Sequence, residues 1–314
     1  MKQETIAVSC FFLAHPMGTH QKIKSVGGQA VIEGVMMRSP GNWTVAVRDQ
    51  KGAIHLLREK LTEMPRLLKL PLIRGVVALF QALSLGIRAI EFSAGKAYEE
   101  ESGESMSKLS MTVTIAVAIC LGIGLFILLP LYATKLVGLV FHGVSTSSFL
   151  FNFVDGIIRV LIFLCYVLAI GMWKEMARIF MYHGAEHKVI HAYEKGMELT
   201  LENVRQHSPL HPRCGTSFLM IVMVVSILVF SFIPQQWPFL YKFLSRIVLI
   251  PLIAGSSFEL LKLSAKWDHH PVMHFMIMPG LMLQRLTTRE PDDAQLEVAL
   301  SAMIEVLKLE DSNA

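Results

Sequence analysis

One stretch of the chain places histidines at the spacing of a metal-binding helix. His183, His187 and His191 are four residues apart, and Glu186 precedes the second of them. On a helix the three imidazoles share one face, because residues four apart are neighbours. Two imidazoles at this spacing chelate Zn²⁺, and His-x-x-Glu-His is the inverted zincin pattern. The sequence therefore indicates a metal site on this helix.

Two further groups of histidines come from other parts of the chain. His207 precedes the segment 211–217, which contains a histidine and a cysteine, and residues 269–274 hold three more histidines. A catalytic zinc takes three protein ligands and keeps one position open. We expect zinc as the metal, and the candidate ligands are His183, His187, His191, His211 and Cys214.

The same histidines also fit a plainer interpretation. In a solvated, basic helix beside the membrane, histidines and glutamates would contact lipid headgroups and each other. Gly184 favours this alternative mildly, since glycine within a helix costs about 1 kcal/mol relative to alanine. All three histidine groups are predicted to lie on one side of the membrane, however, and that clustering favours the metal site.

A second candidate carboxylate, Glu33, lies in the apolar segment 27–38, which carries three glycines. It is either an edge-strand carboxylate paired with Arg38 or a site carboxylate on a strand whose glycines allow close backbone approach. In the second case Glu33, or Arg213, would orient or polarise a substrate. Together with Glu186 as general base, Glu33 and Arg213 are the candidate catalytic residues.

Apolar helices must position these residues. Of the 314 residues, 53% are hydrophobic and 17% charged, against about 45–50% and about 25% in soluble globular proteins. This composition excludes a disordered or coiled-coil protein and disfavours a soluble enzyme. Since about 20 apolar residues cross a bilayer as a helix, we predict four spans and a short interfacial helix at 75–87; the spans are about 109–134, 153–173, 218–233 and 239–263. Arg159, near the start of the second span, is expected to reach the headgroups.

The basic residues predict the orientation of these spans. Lys and Arg number 14 before residue 109, one in 132–152, six in 174–213, none in 234–238 and five from residue 262 onward. By the positive-inside rule, this alternation places both termini in the cytoplasm. The net charge of +4 therefore reflects membrane orientation, and we expect no nucleic-acid partner.

The predicted fold is an α-helical integral membrane protein with about four transmembrane helices and a small cytoplasmic α+β part. The α+β part combines N-terminal strands, including a hairpin around Asp49–Gly52, with the His-rich loop 174–216 and a C-terminal helix. The predicted segments are a disordered leader at 1–21, a β-rich segment at 22–64, an interfacial helix and polar linker at 65–107, a transmembrane core at 108–263 and a tail at 264–314.

The tail contains an amphipathic helix that begins after Pro291. Leu296, Leu300, Met303 and Leu307 recur at helical spacing, which gives the helix one apolar face. We expect this helix to be exposed and to dock a protein partner or a second copy of the chain.

Four motifs resemble the YqhQ-like family of bacterial integral membrane proteins. They are residues 28–38, 183–188, 211–217 and 284–291, within a resemblance that runs from about Gly27 to Leu307. The family has a domain of unknown function that is labelled a predicted metal-dependent enzyme. The resemblance therefore implies a multi-pass protein of the bacterial plasma membrane with a metal-dependent activity, and it implies no substrate.

Two functions follow as alternatives. The first is a metal-dependent hydrolase at the cytoplasmic membrane face, which acts on a lipid or peptide with Glu186 as general base on a water activated by zinc. The second is a non-enzymatic assembly or scaffold protein whose cytoplasmic part binds protein partners, with at most a structural metal. A transporter is a distant third, because the predicted spans carry few charges.

Overall fold

The N-terminal part of the chain forms an antiparallel sheet. In this computed structural model, which describes residues 26–62, 65, 68, 70–98, 108–212, 214–266 and 271–312, four strands pair in chain order. The strands are β1 (Gly27–Val31), β2 (Gly34–Arg38), β3 (Asn42–Arg48) and β4 (Ile54–Lys60). The predicted hairpin between β3 and β4 is confirmed: Gly52 adopts φ 88°, which glycine reaches readily, and Asp49 accepts the N–H groups of Lys51 and Ala53. The predicted leader, 1–21, lies outside the described residues.

Helices make up most of the rest of the described chain. They are α1 (Ile73–Ala97), α2 (Lys108–Ile123), α3 (Leu129–Val140), α4 (His142–Thr146), α5 (Ser148–Gly171), α6 (Lys174–Glu194), α7 (Leu201–Arg205), α8 (Gly215–Phe230), α9 (Phe239–Lys266), α10 (Pro271–Thr287) and α11 (Asp293–Ser312). A π-helical turn, Gly124–Leu128, joins α2 to α3.

Four helical segments in the described chain are long and apolar enough to cross a membrane, by length and composition. They are Ile73–Ala97, Thr112–Val140, Ser148–Gly171 and Phe239–Leu263. The number of candidate spans agrees with the prediction, but two of the helices concerned differ from those predicted. Helix α1 has 25 residues where a short interfacial helix was expected, and α8 has only 16. If α1 crosses the membrane, every later segment lies on the opposite side of the membrane from the one predicted. The cytoplasmic placement of the termini therefore stays a prediction.

The sheet lies between α1 on one face and α6 with α11 on the other. On the first face, Trp43 and Val45 pack with Leu85 and Ala89 of α1. Arg88 of α1 lies over the Trp43 ring at 5.3 Å and pairs with Glu59 of β4. The C-terminal half of α1 is therefore covered by the sheet, although the whole helix has the length and composition of a span.

The apolar face of α11 is buried within the chain. Leu296 and Met303 are 1% and 0% exposed and belong to one core with residues of the sheet and of α6. Thr44 of β3 donates a hydrogen bond to the Ala302 carbonyl at 2.8 Å. The expectation of an exposed docking helix is thus wrong, because an amphipathic pattern does not distinguish a partner from the chain's own sheet. The scaffold alternative loses its main support.

Helix α6 and the segment after α10 make an unusually close contact at Gly184. A Cβ atom at this position would lie 2.1 Å from the carbonyl oxygen of Arg289. The Arg289 N–H donates to the carbonyl of Phe180, one turn earlier on α6, at 2.9 Å. Gly184 is therefore explained by backbone packing, and it no longer favours a solvated helix.

We predict that Gly184→Ala destabilises the protein by about 1–3 kcal/mol, the usual cost of overpacking, because the Arg289 carbonyl must move. Thermal unfolding in detergent measures the effect. The matched control is Gly95→Ala in α1, an exposed site where an added Cβ meets nothing within 4 Å. This control should be neutral or gain up to about 1 kcal/mol from helix propensity. Equal melting temperatures for the two variants would contradict the assigned packing.

Candidate functional site

Helix α6 directs two imidazoles toward Cys214. Nδ1 of His183 lies 2.9 Å from the Thr287 carbonyl oxygen, and Nδ1 of His187 lies 2.5 Å from that of Pro209. A carbonyl oxygen only accepts, so each Nδ1 carries the proton and each Nε2 keeps its lone pair. The His183 Nε2 atom lies 3.2 Å from Sγ of Cys214. The two Nε2-bearing rings and the thiol thus face a common point, with one ligand atom of each residue within 4.8 Å of the others.

Two of the three residues of this triad, His187 and Cys214, are buried. His187 is 1% exposed, and its Nε2 forms no hydrogen bond of normal geometry with any residue that the structure describes. Burial lowers the pKa of His187 and so favours the neutral ring, the form that binds metals. Cys214 caps the N-terminus of α8, where its sulfur accepts from the N–H of Thr216. Two imidazoles and a cysteine sulfur, with carbonyls that fix the rings, are a donor set that suits zinc.

The other two predicted ligands form a second group. His191 and His211 come together with Glu194, again with ligand atoms within 4.8 Å of one another. Nε2 of His211 lies 3.1 Å from a Glu194 oxygen, while Nε2 of His191 donates to the Leu210 carbonyl at 2.8 Å. The rings of His187 and His211 are 5.7 Å apart between centroids, so the two groups adjoin. Glu194 was not predicted as a ligand, although its place three residues after His191 puts it on a neighbouring part of the helix surface.

Glu186 is buried against strand β1. It is 5% exposed, and the N–H of Gly28 donates a hydrogen bond to it. A Cβ on Gly28 would lie 2.8 Å from Cγ of Glu186, so the glycine makes room for this side chain. The Oε2 atom has no hydrogen-bond partner among the described residues. Burial raises the pKa of Glu186 to about 7.

Glu33 occupies the turn between β1 and β2, outside either strand, at φ 49°. Its carboxylate accepts hydrogen bonds from Arg178 of α6 at 2.6 and 2.5 Å and from the Tyr182 hydroxyl at 3.2 Å. The expected pairing with Arg38 is wrong, because Arg38 donates to Gln81 instead. Sequence spacing suggested a neighbour along the strand, whereas the turn directs Glu33 toward α6.

Several other expected residues cannot be placed with this centre. Arg213, His269 and His270 lie outside the described residues, and His274 belongs to α10. His207 is close to the second group, with 6.0 Å between its ring centroid and that of His191.

Segments from both ends of the sequence meet around α6. Gly28 contacts Glu186 as described, and the Gln284 side chain exchanges two hydrogen bonds of 2.8 Å with the backbone of His211. Lys188 is buried, pairs with Glu290 and donates to the Arg205 carbonyl. The four motifs that the sequence singled out therefore build one polar centre, which was not evident from their order along the chain.

The fold and this centre define the class of protein: a chain of apolar, membrane-type helices with a small sheet and a buried His/Cys centre. The family described as "Protein of unknown function (DUF1385)" matches residues 70–309, so the chain belongs to this family. The chain is also 34% identical over 309 residues to "Uncharacterized protein YqhQ" of Bacillus subtilis (strain 168), with 94% of this chain and 96% of the relative covered. The resemblance to the YqhQ-like family is thereby confirmed. No solved structure matches the chain.

We predict that Glu186 makes the stability of the metal-free protein depend on pH. Its pKa rises from 4.5 to about 7 on folding. Between these two pH values, the Glu186 carboxyl is protonated in the folded chain and ionised in the unfolded chain. The contribution of Glu186 to stability should therefore fall as pH rises from about 4.5 to about 7, by about 3 kcal/mol.

Melting temperatures of chelator-treated wild type and Glu186→Gln, measured from about pH 5 to about pH 8.5, test this expectation. The variant should lack this part of the fall, so it should gain stability relative to wild type as the pH increases. A constant difference between the two proteins across this range would contradict the raised pKa.

Proposed function

We propose that the chain is a metal-dependent, hydrolase-like enzyme in which His183, His187 and Cys214 hold a zinc ion beside the apolar helices. One observation carries the proposal: the buried Nε2 of His187 has no hydrogen-bond partner among the described residues, yet it faces the Nε2 of His183 and the sulfur of Cys214. A buried polar atom left unpaired costs about 1–3 kcal/mol. A cation at this point would satisfy all three donors at once.

The residues around the triad would have two roles, which are to orient the ligands and to transfer a proton. Carbonyls of Thr287 and Pro209 hold the two imidazoles in the ligating tautomer, and three protein ligands leave a fourth position for substrate or water. A bound zinc ion would supply Lewis acidity and lower the pKa of a water molecule toward about 7. Glu186 would act as general base, with its unpaired Oε2 as the atom that accepts the proton.

The substrate class follows from the surroundings. The apolar helices suggest contact with membrane lipid, so a lipid or a membrane-bound peptide could reach the centre without entering water. The distribution of basic residues favours the cytoplasmic face for this centre. Glu33, through its ion pair with Arg178, and Arg213 are the candidates for orienting the substrate.

We predict that the full chain, purified in detergent with zinc supplied during expression, retains about one zinc ion per chain. His187→Ala and Cys214→Ser should lose most of it, because each removes a ligand of the triad. His191→Ala is the matched control, since it truncates a histidine on the same helix that belongs to the second group. Elemental analysis of the folded, monodisperse fractions gives the result. Wild type without metal, or equal zinc in all four proteins, would overturn the proposed site.

We predict that Glu186→Gln keeps the zinc and fails to complement a strain in which the gene is deleted. Gln retains the shape of the side chain but cannot accept a proton, so the variant separates catalysis from metal binding and folding. Growth or survival under a condition that requires the gene is the readout, with protein level checked in the membrane fraction. Full complementation by a zinc-containing Glu186→Gln chain would leave a metal-binding protein without the proposed chemistry.

A further inference from the structure

A group of charged residues is buried where α5, α8 and α9 pack together, and it contains none of the candidate ligands. Asp155 accepts hydrogen bonds from Arg159 at 2.5 Å and from Arg246 at 2.6 Å. Both guanidinium groups also lie over the Phe230 ring, at 4.9 and 5.3 Å from its centroid. Arg159 is only 9% exposed. The expectation that it extends to the headgroups is therefore wrong: it turns inward to Asp155.

Positive charge exceeds negative charge in this part of the chain. Asp155 is the one acidic residue in the sequence between Glu104 and Glu175, and none occurs between Glu202 and Glu259. Away from the ends of these two stretches, the basic residues are Lys135, Arg159, Lys242 and Arg246. The two arginines already share Asp155, so the two lysines remain without a carboxylate from these helices. For Lys242, which is buried, such a charge is costly unless an opposite charge approaches it.

Both lysines line one cavity. Its volume is about 320 Å³, within the size range of small-ligand sites, about 300–1,000 Å³. Lys242 is 9% exposed, and its ammonium lies 4.4 Å from the centroid of the Phe151 ring. No described carboxylate forms an ion pair with either lysine. The polar wall groups are Ser145 and Gln235.

The rest of the wall is largely apolar. Leu131, Leu139, Trp237 and Phe239 contribute to it alongside Phe151. Such a wall suits hydrocarbon, whereas the two ammonium groups suit an anion. The combination matches an amphiphile with a charged head and an apolar body.

We propose that this cavity binds the phosphate group of an anionic phospholipid. The ammonium groups of Lys135 and Lys242 would contact the phosphate oxygens, since lysine binds phosphate as a point charge. The apolar wall would contact the first part of the acyl chains. The site shares no residue with the proposed zinc centre, and its occupancy does not depend on that centre.

Titration of the full chain in detergent with dioctanoyl phosphatidylglycerol, followed by calorimetry, tests the site. Dioctanoyl phosphatidylcholine is the matched lipid: it carries the same phosphate, but its choline cation cancels the charge and would be repelled by the two lysines. It should bind at least about tenfold more weakly. Inorganic phosphate and glycerol phosphate at millimolar concentration separate a lipid headgroup from a free phosphate. They should not displace the anionic lipid, because they lack the apolar part. Displacement by either of them would overturn the assignment to lipid.

Three variants assign the binding to the two lysines. Lys242→Met removes the charge but keeps an apolar side chain of similar length, and it should weaken binding of phosphatidylglycerol by about tenfold or more. Lys135→Met, at an exposed position that does not threaten folding, should act in the same direction. Lys174→Met, at the exposed start of α6, is the control and should bind as wild type does. Unchanged affinity in both cavity variants, or equal affinity of wild type for the two lipids, would overturn the proposal.

Discussion

The contact between the Arg289 carbonyl and the backbone of Gly184 is the constraint on which the polar centre depends. Only glycine allows it, because a Cβ atom would lie 2.1 Å from the oxygen. Once this contact forms, the segment around Arg289 runs beside α6. The Thr287 carbonyl then meets Nδ1 of His183, and Glu290 meets Lys188. The orientation of the first candidate ligand and the docking of the C-terminal segment are therefore consequences of one missing side chain.

A second constraint comes from the loop that returns from α6 to α8. Its Pro209 carbonyl fixes His187, its Leu210 carbonyl fixes His191, and its end delivers Cys214 to His183. Backbone carbonyls are fixed in number and position once the loop is folded, so they select the tautomer of each ring without further ionisable groups. The loop thereby divides one row of histidines into two groups. The Nε2 atoms of His183 and His187 stay available for a metal ion, whereas Nε2 of His191 is hydrogen-bonded to the Leu210 carbonyl.

The sequence was informative where local rules decide the structure. The spacing of three histidines predicted one helical face, and Gly52 marked the hairpin, because both depend on residues close in the chain. The division of ligands was not predictable, since it depends on carbonyls of the 206–214 loop and on a contact with Gln284 that lies far away in sequence. Gly28 was noticed for its permissive backbone. Its partner, Glu186, emerges only when the sheet packs on α6.

Predictions from amphipathic and apolar patterns were wrong for a related reason. Such a pattern indicates that a surface is buried, but it does not identify the element that buries it. The apolar face of α11 is covered by the chain's own sheet. Helix α1 continues beyond its apolar run, and there Arg88 pairs with Glu59 and lies over the Trp43 ring of the sheet. Both outcomes depend on the docking of the sheet between helices, which no periodicity encodes. The residue types indicated which side chains could bind a metal or transfer a proton. Their tertiary contacts determine which of these roles each side chain can take.

Helix α8 separates the two polar regions of the molecule and fixes the distance between them. Cys214 caps its start, and Ser226, near its end, accepts a hydrogen bond from Arg159 at 3.1 Å. Twelve residues of α-helix span about 18 Å. The helix is held tightly along this length, because Gly280 packs on Ser217 and Gly156 packs on Ile227 with no room for a Cβ. The buried Asp155 group and the histidine centre therefore lie toward opposite ends of α8. On these proposals the basic cavity and the histidine centre are separate sites that share no residue.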